Sequence, residues 1–553
     1  MKRQMMAALV AAALFGGSGA QAGVITPVNL DPAGQGLNDT TPRAAEGGNP
    51  GSTVGEQRRI VYQFAADLWG SLLQNTPEIR VGASFQPLAC TDTGGTLGSA
   101  GAYWIAADFP GAPLPGAVYH GALAKAISGQ ELESYPVDIT SRFNANLGSP
   151  GCLTSSGWYY GLDGNTPAGK ISFLDVVMHE IAHGLGFSGF VGYSSGVLGE
   201  RAGAVGYSDP YTHNAFDNIR NLRFTAAGMT NSDRAAAIRT RGRPGWDGAN
   251  VKAQVPMWLE GATVLQVSGG TLNLVSQFYG VASFGPPATA SNFNAPVKLV
   301  NDGVGDPTDA CEPLAAGSLT GKIAIISRGS CSFEPKTVNA QNAGAVGVII
   351  ANVATSADPG TAPGMADDAT VVATIPALSV NLSDGNAIKA AAQGASVVTA
   401  SLGKVAGQYA GADPAGRALL YAPAVVASGS SFSHFETVLT PNALMEPSIN
   451  DSLSSSYLVD LTLALFADEG WRLNTGTAKV NGCDTGVKLF MNPGVIAGAN
   501  LVANERVCRV EAAGNRIHYL GCMDGLARDL QALGMIGTAD KAKVRLCATK
   551  AAL

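Results

Sequence analysis

A helix-forming segment carries the motif H-E-x-x-H at residues 179–183, and this motif constrains the chain more than any other feature. Two histidines at positions i and i+4 lie one turn apart on the same helix face, so both imidazoles can reach one metal ion. Gly186 extends the pattern to H-E-x-x-H-x-x-G, whose longer form has a third histidine at position 189. This chain has Gly189 there. The metal site is therefore either incomplete or completed by a ligand from elsewhere in the chain.

The motif residues suit a catalytic zinc ion. Imidazole nitrogens bind Zn²⁺ at about 2.0–2.1 Å, and His179 and His183 are the predicted ligands. Zinc lowers the pKa of a bound water to about 7, and Glu180, beside the first histidine, is placed to take its proton. We therefore predict Glu180 as the catalytic base. A catalytic zinc ion needs three protein ligands and one open position, so one ligand is still missing.

The residues alone leave the third ligand open. The remaining histidines are His120, His213, His434 and His518. Glu436 or Glu446 could serve as the downstream glutamate does in thermolysin-type enzymes, but both lie in a proline-containing segment, which weakens that interpretation. His213 is nearer in sequence, but no surrounding pattern marks it, which favours a surface or hydrogen-bonded histidine.

Helix signals flank the motif and an earlier segment. Thr53 and Glu56 fit a capping box, and an apolar stripe with a spacing of four follows at Ile60, Phe64, Leu68 and Leu72. The run IRVGASF then predicts a strand. Ser172 is a plausible N-cap for the motif helix, which Gly186 ends. Further along, SSSYLVDLTLALFADEGW predicts a strongly apolar helix. The pattern is that of an α/β protein.

The character of the chain changes between residues 265 and 408. GKIAIISRG predicts a strand, EPKTVNAQNAG a helix and AVGVIIANV a second strand, which together form a βαβ unit. IPALSVNLSDGNAIKAAAQG repeats the order of strand and helix. We predict a separate small domain here.

The cysteines and the N-terminus favour an exported protein. Residues 1–22 have the charged start, apolar middle and A-x-A end of a signal peptide, which predicts a mature chain from Gly23 in an extracellular or periplasmic location. An even number of cysteines in such a chain predicts disulfides. Their grouping favours Cys90–Cys152 and Cys311–Cys331 and leaves the pairing open for the last four, which are Cys483, Cys508, Cys522 and Cys547.

Charge and hydropathy exclude some partners. The net charge is −7 and no basic stripe is present, which argues against nucleic acid. No segment after the signal peptide approaches the roughly 18 apolar residues that span a bilayer, so no transmembrane segment is predicted in the mature chain.

The segment SHFETVLTPNALMEP, residues 433–447, resembles the part of leishmanolysin-like metzincins that carries the third zinc ligand and the Met-turn. In that family an insertion separates this part from the H-E-x-x-H helix. The resemblance implies that His434 is the third ligand and that Met445 lies beneath the metal, with Leu444 and Pro447 flanking the turn. The insertion is far longer here than in the family.

The insertion has a resemblance of its own. CEPLAAGSLTGKIAIISRGSCSFEPKTVNAQNAGAVGVIIANV and IPALSVNLSDGNAIK are similar to a protease-associated (PA) domain. Such domains occur in or beside secreted peptidases, so the resemblance implies a role in substrate access or in contacts with other proteins.

These observations predict an α/β (α+β) metzincin-like catalytic domain that is discontinuous, with residues 23–264 and 409–475. Residues 265–408 form the inserted PA domain, and residues 476–553 form a small disulfide-containing region of open role. The predicted function is a secreted endopeptidase that uses one zinc ion and a zinc-bound water activated by Glu180 to hydrolyse protein or peptide substrates. The alternative is a catalytically silent binding or adhesion protein on the same scaffold.

Overall fold

The computed structural model describes residues 23–449 and 452–553, so the predicted signal peptide, residues 1–22, lies outside the described residues. None of the described helices is long and apolar enough to cross a membrane. The helices are α1 (Val54–Leu72), α2 (Gly121–Ser128), α3 (Phe173–Leu185), α4 (Pro210–Asn214), α5 (Asn231–Ile238), α6 (Ala249–Trp258), α7 (Phe333–Asn342), α8 (Leu382–Ala392), α9 (Thr462–Glu469), α10 (Ala497–Ala512), α11 (Arg516–Ala532) and α12 (Thr538–Ala548).

The strands form several separate sheets. In chain order they are β1 (Ile25–Asn29), β2 (Ile79–Gln86), β3 (Cys90–Thr91), β4 (Gly94–Gly95), β5 (Gly98–Ala102), β6 (Ile105–Ala107), β7 (Val118–His120), β8 (Ile139–Asn144), β9 (Trp158–Tyr159), β10 (Ile171–Ser172), β11 (Ala215–Asp217), β12 (Leu222–Arg223), β13 (Pro244–Trp246), β14 (Gly261–Gly269), β15 (Leu272–Ser276), β16 (Gly280–Val281), β17 (Asn294–Leu299), β18 (Ile323–Ser327), β19 (Gly347–Ala351), β20 (Ala377–Val380), β21 (Thr399–Tyr409), β22 (Thr477–Val480) and β23 (Cys483–Lys488).

A four-stranded sheet supports the H-E-x-x-H helix. Its strand order is β1-β2-β8-β5, in which β1, β2 and β8 are parallel and β5 is antiparallel at the edge. Helices α1 and α3 pack on each other, and their apolar residues share one core with the sheet. Every residue of α3 is buried, so the motif helix lies inside the domain.

The cap of α1 differs from the predicted capping box. The Thr53 hydroxyl accepts a hydrogen bond from the backbone N–H of Glu56 at 3.2 Å, as predicted. The Glu56 carboxylate, however, accepts from the backbone N–H and hydroxyl of Ser52, at 2.9 Å and 2.6 Å. Ser52 offers two donors, so the Glu56 carboxylate binds Ser52 and not the backbone N–H of Thr53 that a capping box would use. On the apolar stripe, Ile60 is only partly buried, whereas the later members are fully buried.

An eight-stranded sheet forms between residues 261 and 409. Its order is β15-β14-β21-β17-β18-β19-β20-β16, and β17 to β20 run parallel. Helix α7 connects β18 to β19, and α8 leads from β20 to β21. The buried apolar residues of this region form two clusters of their own, separate from the core around the motif helix. Strand β14 begins the insertion and β21 ends it. These two strands pair antiparallel, with Gly261 opposite Tyr409. The insertion therefore leaves and returns at one place, and its sheet extends slightly beyond the predicted limits of 265 and 408.

The apolar helix after the insertion is shorter than the predicted one. The sequence pattern predicts a helix from about residue 454, whereas α9 begins at Thr462. The reason is the buried Asp460, whose carboxylate accepts from the backbone N–H and hydroxyl of Thr462 at 2.9 Å and 2.6 Å. The residues before it are irregular, and Ser455 donates its backbone N–H to Asp175 of the motif helix at 3.0 Å.

The C-terminal region has its own apolar core, formed by the β22–β23 hairpin and the last three helices. Helix α10 also packs against α1. All eight cysteines are paired in the described structure, as Cys90–Cys152, Cys311–Cys331, Cys483–Cys547 and Cys508–Cys522. The first two pairs are those that the grouping predicts, and the last two resolve the pairing that the sequence leaves open.

Candidate metal centre

Three histidines from distant parts of the chain converge on one point. The Nε2 atoms of His179 and His183, both on α3, lie 3.1 Å apart. The Nε2 atom of His434, from the segment after the insertion, lies 3.1 Å from that of His179 and 3.2 Å from that of His183. All three side chains are buried. The structure thus brings the three predicted ligands together across about 250 residues of sequence, as the separation of 251 shows.

Each of these rings is oriented by a backbone carbonyl. The Nδ1 atom of His179 lies 2.7 Å from the carbonyl oxygen of Leu444. The Nδ1 atoms of the other two rings lie 2.8 Å from the carbonyl oxygens of Phe187 and Ser430. Carbonyl oxygens only accept, so each Nδ1 carries the proton and donates. In a neutral ring this leaves a bare lone pair on each Nε2, and all three lone pairs face one another.

Burial keeps these rings neutral. It lowers the pKa of His179 to about 4 and the pKa of His434 to about 3. The pKa of His183 lies well below its usual value, first because of burial and then because of its two histidine neighbours.

The arrangement fits a zinc ion. A tetrahedral ion with bonds of about 2.0–2.1 Å needs its ligand nitrogens about 3.3–3.4 Å apart, and the observed separations are 3.1–3.2 Å. Three lone pairs this close repel each other unless a cation lies among them. The Nδ1–carbonyl bonds are also the outer contacts that fix metal-binding imidazoles.

Glu180 lies beside the histidines in a space that Gly98 keeps open. A Cβ atom on Gly98, which belongs to the edge strand β5, would stand 2.7 Å from Oε1 of Glu180. The carboxyl is buried, and its Oε2 atom has no hydrogen-bond partner among the described residues. Burial raises the pKa of Glu180 to about 8. A buried carboxyl oxygen without a partner costs free energy, and such groups are common at functional sites.

The turn around Met445 is tied to two of the ligands. Met445 is fully buried, and its carbonyl oxygen accepts from the backbone N–H of Phe435, the residue after His434, at 2.8 Å. The preceding Leu444 supplies the carbonyl that orients His179. The backbone N–H of Leu444 in turn donates to Asp460. Asp460 therefore anchors the turn, a role that the sequence interpretation missed; an acidic residue within an otherwise apolar segment is the one signal that could have pointed to it.

An open cleft of about 760 Å³ leads to the three histidines and Glu180. One side is formed by residues 93–102, which include the edge strand β5. Glu446 and the three residues after it form another part of the wall, and Ser188, Phe190 and Arg201 form a third. The sequence interpretation found neither the β5 wall nor Arg201, because neither belongs to a recognisable motif.

Gly189, where the longer signature has a histidine, faces a filled space. A Cβ atom there would lie 2.7 Å from the ring of Phe432, 2.9 Å from the hydroxyl of Thr212 and 3.1 Å from the ring of Tyr211. Phe432 comes from the returning chain, two residues before His434. The segment that supplies the third histidine therefore also fills the position where the longer signature has its histidine.

The other candidate ligands lie outside the cluster. His120 is buried and its Nε2 is 2.8 Å from the Ser188 hydroxyl, while Nδ1 of His213 is 3.3 Å from the Thr225 hydroxyl. His518 is exposed on α11. Glu436 accepts from Arg241 at 3.1 Å, and Glu446 accepts from the backbone N–H of Ala443 at 2.9 Å. Among the described residues, the three-histidine group contains none of these side chains.

Comparison with known proteins identifies one domain. Residues 295–388 match the family model of the PA domain, which confirms the predicted class of the insertion. The limits of 265–408 remain a prediction. The structure as a whole is a mixed α/β protein with this domain inserted between two parts of the chain.

Similar proteins match only parts of the chain. The Minor extracellular protease Vpr from Bacillus subtilis (strain 168) is 27% identical over 190 residues, which cover 32% of this chain and 21% of that protein. The Probable leucine aminopeptidase 2 from Aspergillus fumigatus is 31% identical over 149 residues, 27% of this chain and 26% of that protein. The Receptor homology region, transmembrane domain- and RING domain-containing protein 1 from Arabidopsis thaliana is 52% identical over 54 residues, which cover 8% of this chain and 17% of that protein. The chain thus spans between 17% and 26% of these relatives.

Similar solved structures match parts of the chain as well. The zinc aminopeptidase BSAP from Bacillus subtilis has 23% sequence identity and a TM-score of 0.19, over 29% of this chain and 37% of that one. A Peptidase M28 precursor from Shewanella amazonensis SB2B has 21% identity and a TM-score of 0.20, over 27% of this chain and 35% of that one.

Proposed function

We propose that this chain is a secreted, zinc-dependent endopeptidase of the leishmanolysin-like metzincin type. The observation that carries the proposal is the set of three convergent Nε2 lone pairs, each fixed by an Nδ1–carbonyl bond, with the unpaired Glu180 carboxyl beside them. His179, His183 and His434 would hold the ion. When bound, zinc supplies a Lewis acid that lowers the pKa of water and polarises a peptide carbonyl.

Glu180 is the proposed general base. Its carboxylate takes a proton from the attacking water and later passes it to the leaving amine. Burial raises the pKa of Glu180 to about 8, whereas a cation among the neighbouring imidazoles favours the charged carboxylate and lowers that pKa. The buried carboxyl can therefore hold or release a proton near neutral pH, as general acid–base catalysis requires.

The edge strand supports cleavage inside a polypeptide. The outer edge of β5 pairs with no other described strand, and it lines the cleft over the five residues from Gly98 to Ala102, a length of about 17 Å. Its side chains are small, so an extended peptide can approach and add as a further strand. A substrate held over several residues by its backbone is cut at an internal bond, which favours an endopeptidase over an exopeptidase.

The named relatives agree in part with this proposal. Two of them are named as a protease and an aminopeptidase, which supports hydrolysis of peptide bonds and, for the extracellular protease, export. The third is named for its RING domain rather than as a peptidase. The names of these relatives therefore do not by themselves identify this chain as an enzyme, and the proposal depends on the histidines and Glu180.

Casein hydrolysis by the Glu180→Gln variant tests the proposal. Glutamine keeps the size of the side chain but cannot take a proton, so we expect full zinc content with activity reduced at least about 10²–10⁴-fold. Glu511→Gln, on the exposed face of α10, is the matched control and keeps full activity. A chelator should abolish hydrolysis by the unaltered protein.

Two results would contradict the proposal. Near-normal hydrolysis by Glu180→Gln, with the substitution verified by mass spectrometry, would refute the role of the base. Zinc-loaded protein that cleaves neither casein nor a peptide library would support the alternative of a catalytically silent binding protein. Mass spectrometry of the products separates internal cleavage from stepwise removal of N-terminal residues.

A further inference from the structure

A single arginine stands in the wall of the cleft. Arg201 is exposed, and it lines the same cavity as His183, His434 and Glu180. It is the only arginine or lysine among the described residues of this wall. Among the described residues of the wall, the guanidinium is therefore the side chain with a permanent positive charge.

The guanidinium is held by neutral groups. Its Nη1 donates to the carbonyl oxygen of Gly189 at 2.9 Å and to the hydroxyl of Tyr193, and its central carbon lies 4.0 Å from the centre of the Tyr193 ring. Arg201 forms no direct ion pair with the described carboxylates. Burial raises the pKa of the nearby Asp209 and the charge of Arg201 partly opposes this rise, but the Asp209 oxygens accept from Phe190 and Thr212 instead. The guanidinium of Arg201 is therefore not directly paired with a carboxylate of the described part of the protein.

The anchoring leaves the guanidinium fixed in direction. The Tyr193 hydroxyl lies 2.9 Å from the hydroxyl of Ser433, the residue before His434, and Ser433 also accepts from the backbone N–H of Gly189. Nη1 makes both hydrogen bonds to Gly189 and Tyr193, and no described residue accepts from Nε or Nη2, which are therefore available to a ligand. A planar guanidinium with two parallel N–H groups matches a carboxylate in bidentate geometry, and little entropy is lost because the fork is already oriented.

We propose that Arg201 binds a carboxylate of the substrate close to the scissile bond, so that the enzyme selects acidic peptides. This inference rests on the proposed peptidase function, since the same cleft contains the reacting groups. The carboxylate is that of an aspartate or glutamate side chain or of a free C-terminus. Both sources have the chemistry that the guanidinium recognises, and the assay distinguishes them.

Quenched fluorescent peptides of eight neutral residues, with one aspartate moved through every position, test the inference. The same set is made with asparagine, and each peptide carries either a free or an amidated C-terminus. We expect kcat/KM to be about 10- to 100-fold higher for aspartate than for asparagine at one position, or for the free acid over the amide. In Arg201→Met this ratio falls to near one, and Arg201→Lys gives an intermediate ratio.

Arg239→Met is the matched control. Arg239 is exposed, and among the described residues its side chain donates only to the carbonyl oxygen of Ala235 in the preceding turn, so the ratio should stay unchanged. The ratio is also insensitive to a general loss of folding, because such a loss lowers both rates equally. An unchanged ratio in Arg201→Met, or no preference for a carboxylate in the unaltered protein, would overturn the inference.

Binding separates this inference from the proposed function. In zinc-loaded Glu180→Gln protein, fluorescence anisotropy of the best aspartate peptide and of its asparagine partner measures affinity without cleavage. Tighter binding of the aspartate peptide that is lost with Arg201→Met supports the inference even if the unaltered protein cleaves nothing. Cleavage without any preference for a carboxylate supports the peptidase and refutes the role of Arg201.

Discussion

The ring of Phe432 fills the space beside Gly189 in which the side chain of a histidine would have to stand. A Cβ atom on Gly189 would lie only 2.7 Å from the Cε1 atom of Phe432. Phe432 has a φ of 67°, which L residues rarely adopt, and its ring stacks on Phe224 at 4.9 Å while its carbonyl accepts from the Tyr211 hydroxyl. This packing fixes the returning chain two residues before His434.

Gly189→Ala should therefore destabilise the protein by about 1–3 kcal/mol, since an added methyl overpacks this site. Gly189→His should not create an additional metal ligand, and it should reduce zinc content and activity because it displaces the segment that carries His434. Urea unfolding and metal analysis measure the two effects.

Gly521→Ala is the matched control for the added methyl. A Cβ atom on Gly521, in the exposed part of α11, meets nothing within 4 Å. Alanine favours a helix, so this variant should gain about 0.5–1 kcal/mol. Equal stability of both alanine variants would mean that the space beside Gly189 is not filled in solution.

His434→Ala should remove bound zinc and abolish hydrolysis. The two histidines of α3 would be left without a third donor, and a catalytic zinc site needs three. His120→Ala and His213→Ala should keep stoichiometric zinc, because these rings bind Ser188 and Thr225 instead. The zinc content of each purified variant, measured by mass spectrometry, shows which histidine is the third ligand. Loss of zinc in His213→Ala with zinc retained in His434→Ala would reverse the assignment.

The sequence predicted the local parts of this site better than its long-range contacts. The motif helix has the predicted Ser172 cap and ends at Gly186, because these signals act within one turn. His434 is predicted only through a family resemblance, since the residues alone leave the third ligand open. Gly98 could not be predicted, because its contact with Glu180 depends on how β5 pairs with β8. Register of that kind is set by tertiary packing.

The error in α9 has a similar origin. Its apolar pattern extends back to residue 454, but the buried Asp460 starts the helix later and instead holds Leu444 of the Met445 turn. A tertiary requirement of the site therefore overrides the local helix signal. The same holds for Arg201, whose surroundings are assembled from residues before and after the insertion.

Asp247 joins the outgoing and returning parts of the chain. Its carboxylate accepts from Arg223 at 3.0 Å, from Lys252 at 2.8 Å and from Arg417, which follows the insertion, at 2.9 Å. Asp247→Asn should cost about 1–3 kcal/mol of stability, because hydrogen bonds to a charged group are lost. Asp524→Asn, whose pairs with Arg528 and Arg545 are more exposed, should cost at most about 1 kcal/mol.

The effect of Asp247 should depend on pH. Burial alone would raise its pKa, but the bonds to Lys252, Arg417 and Arg223 outweigh burial and lower the pKa from 3.8 to about 2. The folded state therefore holds the proton less tightly than the unfolded state. The stability that Asp247 contributes is complete above about pH 4 and is lost as the pH falls towards 2. Urea midpoints of the unaltered protein and Asp247→Asn should converge over this range, and a difference that stays constant would contradict the assignment.

The Cys90–Cys152 bond should shape the cleft as well as stabilise the fold. It holds the β3–β4 hairpin, which leads directly into the cleft wall of residues 93–102. Replacement of both cysteines by serine should lower stability by about 2–5 kcal/mol and raise KM for peptides. The double replacement of Cys508 and Cys522, which join α10 and α11, should lower stability but leave KM unchanged. Equal changes in KM for the two double variants would show that the hairpin does not contact substrate.

The insertion should fold by itself when its two terminal strands are included. The pair formed by β14 and β21 contributes Leu265, Val267 and Leu402 to the apolar cluster on one face of the eight-stranded sheet. Residues 261–409, produced under oxidising conditions, should therefore unfold cooperatively and contain the Cys311–Cys331 bond without tightly bound zinc. The shorter segment of residues 295–388 lacks both strands, so it should melt at lower temperature or aggregate through its exposed apolar face. Circular dichroism and disulfide mapping compare the two segments. A cooperative transition of equal midpoint in the shorter segment would place the folding boundary inside β14 and β21 and refute their role in the domain.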